Sequence, residues 1–106
     1  MTLQRNLHPE ADAEFLDAVR YYEERERGLG AEFDAAAAGA VEDIARNPEA
    51  WPIFPGWTRL PVVRTRKLRG FPYRVVYFTR DDQLMVVAFA HQSRRPGYWK
   101  SRVASS

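Results

Sequence analysis

The residues of this 106-residue chain that are equipped for chemistry crowd into its second half. Arg74 stands in a run of apolar strand residues, Tyr73-Arg74-Val75-Val76-Tyr77. His91 closes the next apolar run, and Arg94, Arg95, Tyr98 and Trp99 follow it closely. Lys67 and Arg69 end the run before. Together these side chains have the parts for one reaction that needs no metal, attack of a ribose 2′-OH on its own phosphodiester. Arginine forks suit phosphate oxygens and the charge that develops on them. Histidine titrates near neutrality and serves as acid or base. Tyrosine transfers a proton or stacks on a nucleobase. Each residue also has a plainer reading. Arg74 would pair with a helix carboxylate, His91 would cap the strand end by hydrogen bonding, and Tyr98 and Trp99 would be lids over the sheet edge.

Other chemistries lack their parts. There is no Gly-rich phosphate loop, no nucleophile elbow and no metal-ligand spacing. Cysteine is absent, so a disulfide scaffold, a thiolate zinc site and a Cys nucleophile are excluded, and two histidines make a His-rich metal site unexpected. Neither a metal nor a cofactor is expected. Asp81 and Asp82 sit on a polar turn and read as a solvated hairpin tip rather than an acid/base pair. No apolar run is long enough to span a membrane, and Met1 to Pro9 does not read as a signal peptide, so a cytoplasmic protein is expected.

Net charge is +2, but residues 1–50 carry 12 acids against 5 Lys/Arg, while residues 51–106 carry 11 Lys/Arg against two acids. Contact between the halves would neutralise part of this. The density of Arg64, Arg66, Lys67, Arg69, Arg74, Arg94, Arg95, Lys100 and Arg102 points beyond that to an anionic partner.

One domain over residues 1–106 must position these groups. Leu3 to Leu7 reads as a short strand. His8-Pro9-Glu10 starts a helix, with Pro at the first helical position and acids at the positive end of the dipole. Ala11, Phe15, Ala18, Val19 and Tyr22 form its apolar stripe. Glu23 to Arg27 reads as an exposed tail, and Gly28 and Gly30 as the break. Phe33, Ala36, Ala37, Ala40, Val41 and Ile44 define a second helix, whose small residues admit a close neighbour and which Asn47-Pro48 stops. The two helices must form an antiparallel hairpin. Glu49 to Pro61 reads as an irregular connector pinned by Trp51 and Trp57.

Strands are expected at Val62–Arg69, Tyr73–Thr79 and Leu84–His91, joined tightly into an antiparallel β-meander. In the third, Leu84, Val86, Ala88 and Ala90 would share one face, and Met85, Val87, Phe89 and His91 the other. Both faces are apolar, as expected of covered central strands. The end of the third strand returns beside the start of the second, which brings Arg74 and His91 near one another in a register the pattern leaves open. The fold class is α+β, in the order β-α-α-β-β-β.

Three stretches carry a family likeness: Arg66-Lys67-Leu68-Arg69-Gly70-Phe71-Pro72-Tyr73-Arg74-Val75-Val76-Tyr77, then Met85 to His91, then Arg94-Arg95-Pro96-Gly97-Tyr98-Trp99. With His8-Pro9-Glu10-Ala11, Glu14-Phe15 and Ile44-Ala45-Arg46-Asn47-Pro48, the chain resembles the RelE/ParE superfamily of toxins from bacterial type II toxin–antitoxin modules. The resemblance implies a RelE/ParE-like fold and a cognate antitoxin that holds the toxin inactive. RelE-like members cut mRNA in the ribosomal decoding site, whereas ParE-like members inhibit DNA gyrase and have no hydrolytic site. On the RelE-like pattern Arg74 matches the arginine that binds the scissile phosphate. Arg94 or Arg95 matches the second arginine, Tyr98 the C-terminal catalytic tyrosine, and His91 approximately the histidine some members use. Lys67 matches the basic residues before the strand arginine, and Arg64, Arg66, Arg69 and Lys100 join it as expected nucleic-acid contacts. A helical hairpin of about 40 residues looks more like ParE. The expectation is thus a toxin that cleaves mRNA on the ribosome as a metal-independent endoribonuclease. The alternatives are gyrase inhibition without nuclease activity, and a non-toxic member that binds antitoxin or nucleic acid. Whether the chain is an enzyme stays open between them.

Overall fold

In the computed structural model, which describes residues 3–104, a strand and a helical hairpin precede three further strands and a short terminal helix. The elements are β1 Gln4–Leu7, α1 Pro9–Arg25, α2 Leu29–Arg46, β2 Arg64–Lys67, β3 Tyr73–Arg80, β4 Gln83–His91 and α3 Lys100–Ala104. The sheet order is β1-β4-β3-β2, with β1 parallel to β4 and the other pairs antiparallel. The N-terminal strand therefore makes the sheet mixed and places β4 in its interior. No helix among the described residues is long and apolar enough to cross a membrane.

α1 starts as its sequence dictates. His8 Nδ1 accepts the Glu10 N–H at 3.1 Å, and Pro9 fills a position that needs no donor. The break between the helices differs from the expected one. Helical backbone runs to Arg25, and the Glu23 carboxylate takes the N–H groups of Gly28 and Gly30, each at 3.1 Å. Glu23 thereby satisfies open donors of the second helix. Gly28 alone makes the turn, at φ 90°. Gly30 is buried inside α2, where a Cβ would stand 2.7 Å from the Val19 carbonyl oxygen. It is a site of close helix approach rather than a break. The hairpin buries Ala11, Ala18, Phe33, Ala37 and Ile44 against Val75, Tyr77, Leu84, Val86 and Phe89 of the sheet.

The strands carry a second core on their other face. Val63, Val76, Phe78, Met85, Val87, Ala88, Trp99 and Val103 are buried there, with Phe54 and Trp57 packed against them. The connector and the C-terminal segment thus cover the side that the helices leave bare. Trp51 packs instead on the hairpin-side core. Phe54 N–H bonds Val63 O and Thr65 N–H bonds Pro52 O, both at 2.9 Å, so the connector also protects the outer edge of β2. β2 is shorter than expected, and the helical stretch Lys100–Ala104 was not foreseen. Asp81 and Asp82, at φ 50° and 62°, form the expected turn, whose left-handed backbone matches strand twist.

One irregularity changes the placement of side chains. Val76 pairs with Ala88 but Tyr77 with Val86, which leaves Val87 as an inserted residue in β4. A β-bulge of this kind reverses the alternation beyond it. Leu84, Val86 and Phe89 accordingly face the hairpin, while Met85, Val87 and Ala88 face the second core. The uniform alternation expected for this strand is corrected from Ala88 onward.

Candidate functional site

On the sheet face away from the hairpin, the connector and the turn after β4 stand as two walls. A cleft of about 540 Å³ lies between them. Thr65, Arg74, Val76 and Ala90 form its floor, Pro52 to Pro55 one wall, and residues from Gln92 to Lys100 the other. None of the lining residues is acidic. The antiparallel register does what the sequence required of it. Arg74 lies between Lys67 on β2 and Ala90 on β4, and Arg94, Arg95, Tyr98 and Lys100 follow directly from the end of β4.

Within the cleft the residues are in different states. Arg74, Arg95 and Lys100 are exposed, and no side-chain hydrogen bond or ion pair holds them among the described residues. Arg94 lies with its guanidinium carbon 3.9 Å from the centre of the Tyr98 ring, a cation–π contact. His91 sits at the rim, opposite Tyr73 in register. Its ring is edge-on to Tyr73 at 5.0 Å, and its Nδ1 accepts the Ser93 N–H at 3.0 Å. Tyr73 packs toward the hairpin core, so the bulge at Val87 has turned the His91 ring to the face opposite Arg74.

Tyr98 is more firmly committed. Its hydroxyl donates to Glu14 Oε2 at 2.7 Å. Burial pushes its pKa well above the usual tyrosine value, and the hydrogen bond to the Glu14 carboxylate adds to this against Arg102 and Arg94. The same carboxylate receives both Arg102 terminal nitrogens at 3.0 Å and the Phe89 N–H at 3.1 Å. Arg102 Nη1 also donates to Val87 O at 3.0 Å. The physical cause is the length of β1. Its pairing with β4 ends at Val86, and past that point the outer edge of β4 has no strand beside it. Glu14 and Arg102 supply the acceptor and the donor that a longer strand would have supplied. Trp99, 2% exposed, anchors the same segment 4.9 Å from the ring of Phe54.

Sequence reasoning assigned neither residue this role: Glu14 entered only through the family likeness, and Arg102 only among the cations expected to meet an anionic partner. A signal for Glu14 was available: it falls three residues after Ala11 and four before Ala18, on the buried stripe of α1. A carboxylate there requires a partner.

The remaining cations separate by strand face. Arg64 and Arg66 lie on the hairpin side, with Arg64 Nη1 donating to Trp51 O at 2.8 Å. Arg66 pairs with Asp43 at 3.1 Å and places its guanidinium 4.3 Å from the Trp51 ring centre. Both brace the connector and α2 rather than facing the cleft. Lys67 is exposed beside Arg74, and Arg69 lines a separate groove with Phe71 and Tyr22. Among the described residues no group of three or more His, Cys, Asp or Glu could hold a metal ion.

A strand-helix-helix-strand meander with a cationic cleft and a braced C-terminal tyrosine is the setting for comparison with known proteins. A family model described as the ParE toxin of the type II toxin–antitoxin system, parDE, matches residues 6–96. The chain belongs to this ParE toxin family. Among solved structures, a chain of the chromosomal ParDE toxin–antitoxin system from P. aeruginosa has the same fold. The TM-score is 0.67 at 13% identity, covering 85% of this chain and 96% of that one. No curated protein sequence matches significantly. The expected RelE/ParE-like α+β fold is therefore observed, and membership of the ParE family implies a cognate antitoxin.

Proposed function

We propose that this ParE-family toxin inhibits growth by binding DNA gyrase, without cutting RNA. The observation that carries this reading is the state of Tyr98. A tyrosine acting on a phosphodiester must present its hydroxyl to the substrate. Here the hydroxyl is given to Glu14 inside a network that closes the edge of β4. The His91 ring, the other expected proton carrier, is turned away from Arg74. Arg74, Arg94 and Arg95 then act as binding cations rather than as parts of a catalytic set. The helical hairpin, an interaction surface in the ParE branch, supports the same reading.

The test is induced expression without antitoxin, with plasmid topology and mRNA 5′ ends read from one culture. The expected result is altered supercoiling with intact mRNA, and full toxicity of Tyr98→Phe wherever that variant folds. New mRNA ends within codons, with supercoiling unchanged, would return the function to RNA cleavage. Arg74 and Arg95 would then be the first residues to dissect.

A further inference from the structure

Four hollows on the described surface differ in the charges at their rims. The cleft holds only cations. The groove where α1 and α2 meet β1 holds Asp12 and Asp34, which have no side-chain partner among the described residues, while its Arg5 is taken by Glu42. The hollow beside Leu60 and Val62 holds an unpaired Glu49, and its Arg64 is given to Trp51 O. Each of these three surfaces carries unpaired charge of one sign, so it repels a copy of itself.

The fourth hollow is different. It is a groove of about 550 Å³ where the start of α2 lies beside the turn between β2 and β3. Tyr22 and Phe71 give it an aromatic floor, with their rings edge-on at 4.9 Å. Both rings also pack on Phe33, at 5.5 and 5.2 Å, so the floor is fixed to the hairpin core. Leu29, Ala36 and Pro72 continue the apolar lining. Tyr21, half-exposed and edge-on to Tyr22 at 5.2 Å, adds apolar surface at the same end of the hairpin. A groove already built needs little ordering to accept a neighbour.

Its rim carries one charge of each sign. Glu32 stands on the α2 wall and Arg69 on the turn wall, both exposed. Neither has a hydrogen-bond or ion-pair partner among the described side chains, and they do not pair with each other. An unpaired acid on one wall and an unpaired cation on the other make the surface complementary to itself. A two-fold rotation sets each acid against the other copy's cation.

We infer that this groove is a homodimer interface. Two copies of the chain meet about a two-fold axis, with Glu32 of each protomer facing Arg69 of its partner and the apolar linings in contact between them. The interface lies apart from the cleft and does not depend on the toxin's cellular target, so this inference and the gyrase reading fail separately.

The experiment is sedimentation equilibrium of the full-length protein, free of antitoxin, from about 10 µM to 1 mM at low salt. The average mass is expected to rise from that of one chain toward that of two, and to fall back as salt is added. Glu32→Arg sets arginine against arginine, and Arg69→Glu sets glutamate against glutamate. Each change is expected to weaken the dimer by about tenfold. Mixing the two single variants should restore association, because every contact across the mixed pair again joins opposite charges. Both positions are exposed, and a cooperative melting curve confirms that each variant folds. A protein that stays monomeric to the top of the range would overturn the proposal and leave the groove to a different chain. A dimer of unchanged strength in the single variants would overturn it by placing the interface elsewhere. Weakening without restoration in the mixture would overturn it too, because the two residues would then not face each other.

Discussion

On the hairpin side of the sheet, Arg66 is held by Asp43 and lies over the ring of Trp51, and Arg64 gives a donor to Trp51 O. On the cleft side, Arg74 sits one strand away with no described side chain to hold it, and Arg95 and Lys100 stand likewise at the wall. The two faces share a sheet and a run of basic sequence, yet one consumes its charges in bracing and the other leaves them unpaired among the described residues. The acidic first half explains the difference. All of its carboxylates except Glu26 and Glu49 are on the helices, so they reach the hairpin face and, through Glu14, the edge of β4. None reaches the cleft. Neutralisation between the two halves therefore accounts for the basic residues of the hairpin face and not for those of the cleft.

The contrast can be tested from the largest expected effect to the smallest. Trp99→Ala removes the centre of the second core and should cost about 3–5 kcal/mol of stability by urea unfolding. Glu14→Ala leaves Arg102, Tyr98 and the Phe89 N–H without their acceptor, and about 3 kcal/mol is expected. Hydrogen exchange should then open first at Val87 to His91. If those amides stayed protected, the network would not be what closes the β4 edge. Tyr98→Phe deletes a single hydrogen bond to a charged acceptor and should cost about 1.5 kcal/mol.

The alkaline limb sharpens the same point. Tyr98 is raised by burial and Glu14, and Tyr77, buried with its hydroxyl on Pro48 O, is pushed up to about 12. Both hold their protons more tightly folded than unfolded. Their contribution is complete below the unfolded tyrosine pKa of about 10 and is lost as pH rises above it. A Tyr77→Phe/Tyr98→Phe variant should show a shallower loss of stability above that pH. An equal slope would count against both placements. At the small end, Arg74→Ala should change stability by less than about 0.5 kcal/mol, because nothing in the fold depends on it. A larger loss would mean that Arg74 is a brace like Arg66.

Much of the fold was legible in the residues. The helical stripes, the Asn47-Pro48 stop, the turn at Asp81–Asp82 and the two apolar faces of the central strands are local or periodic signals, and each appears as read. Gly30 was misread because a glycine that admits a neighbouring helix and one that breaks a helix look alike without the neighbour. The candidate site was legible as a set of residues but not as a set of roles. Arg74, Arg94, Arg95, Tyr98 and Lys100 do meet at one cleft, while Arg64 and Arg66 do not.

What the amino-acid order determined by itself was the sequence of elements, the family they belong to and the concentration of positive charge after residue 51. The elements as far as β4 and the charge follow from periodicity, turn chemistry and composition, which need no long-range contact, and the family from the likeness of the motifs. Tertiary structure alone decided which charges stay free and which way the reactive groups point. A single inserted residue, Val87, turned His91 to the other face, because side-chain direction in a strand has a period of two. The short β1 left an open edge on β4, and closing it drew Glu14 of the first helix to Tyr98 and Arg102 near the other end of the chain. Both effects arise from strand pairing between distant segments.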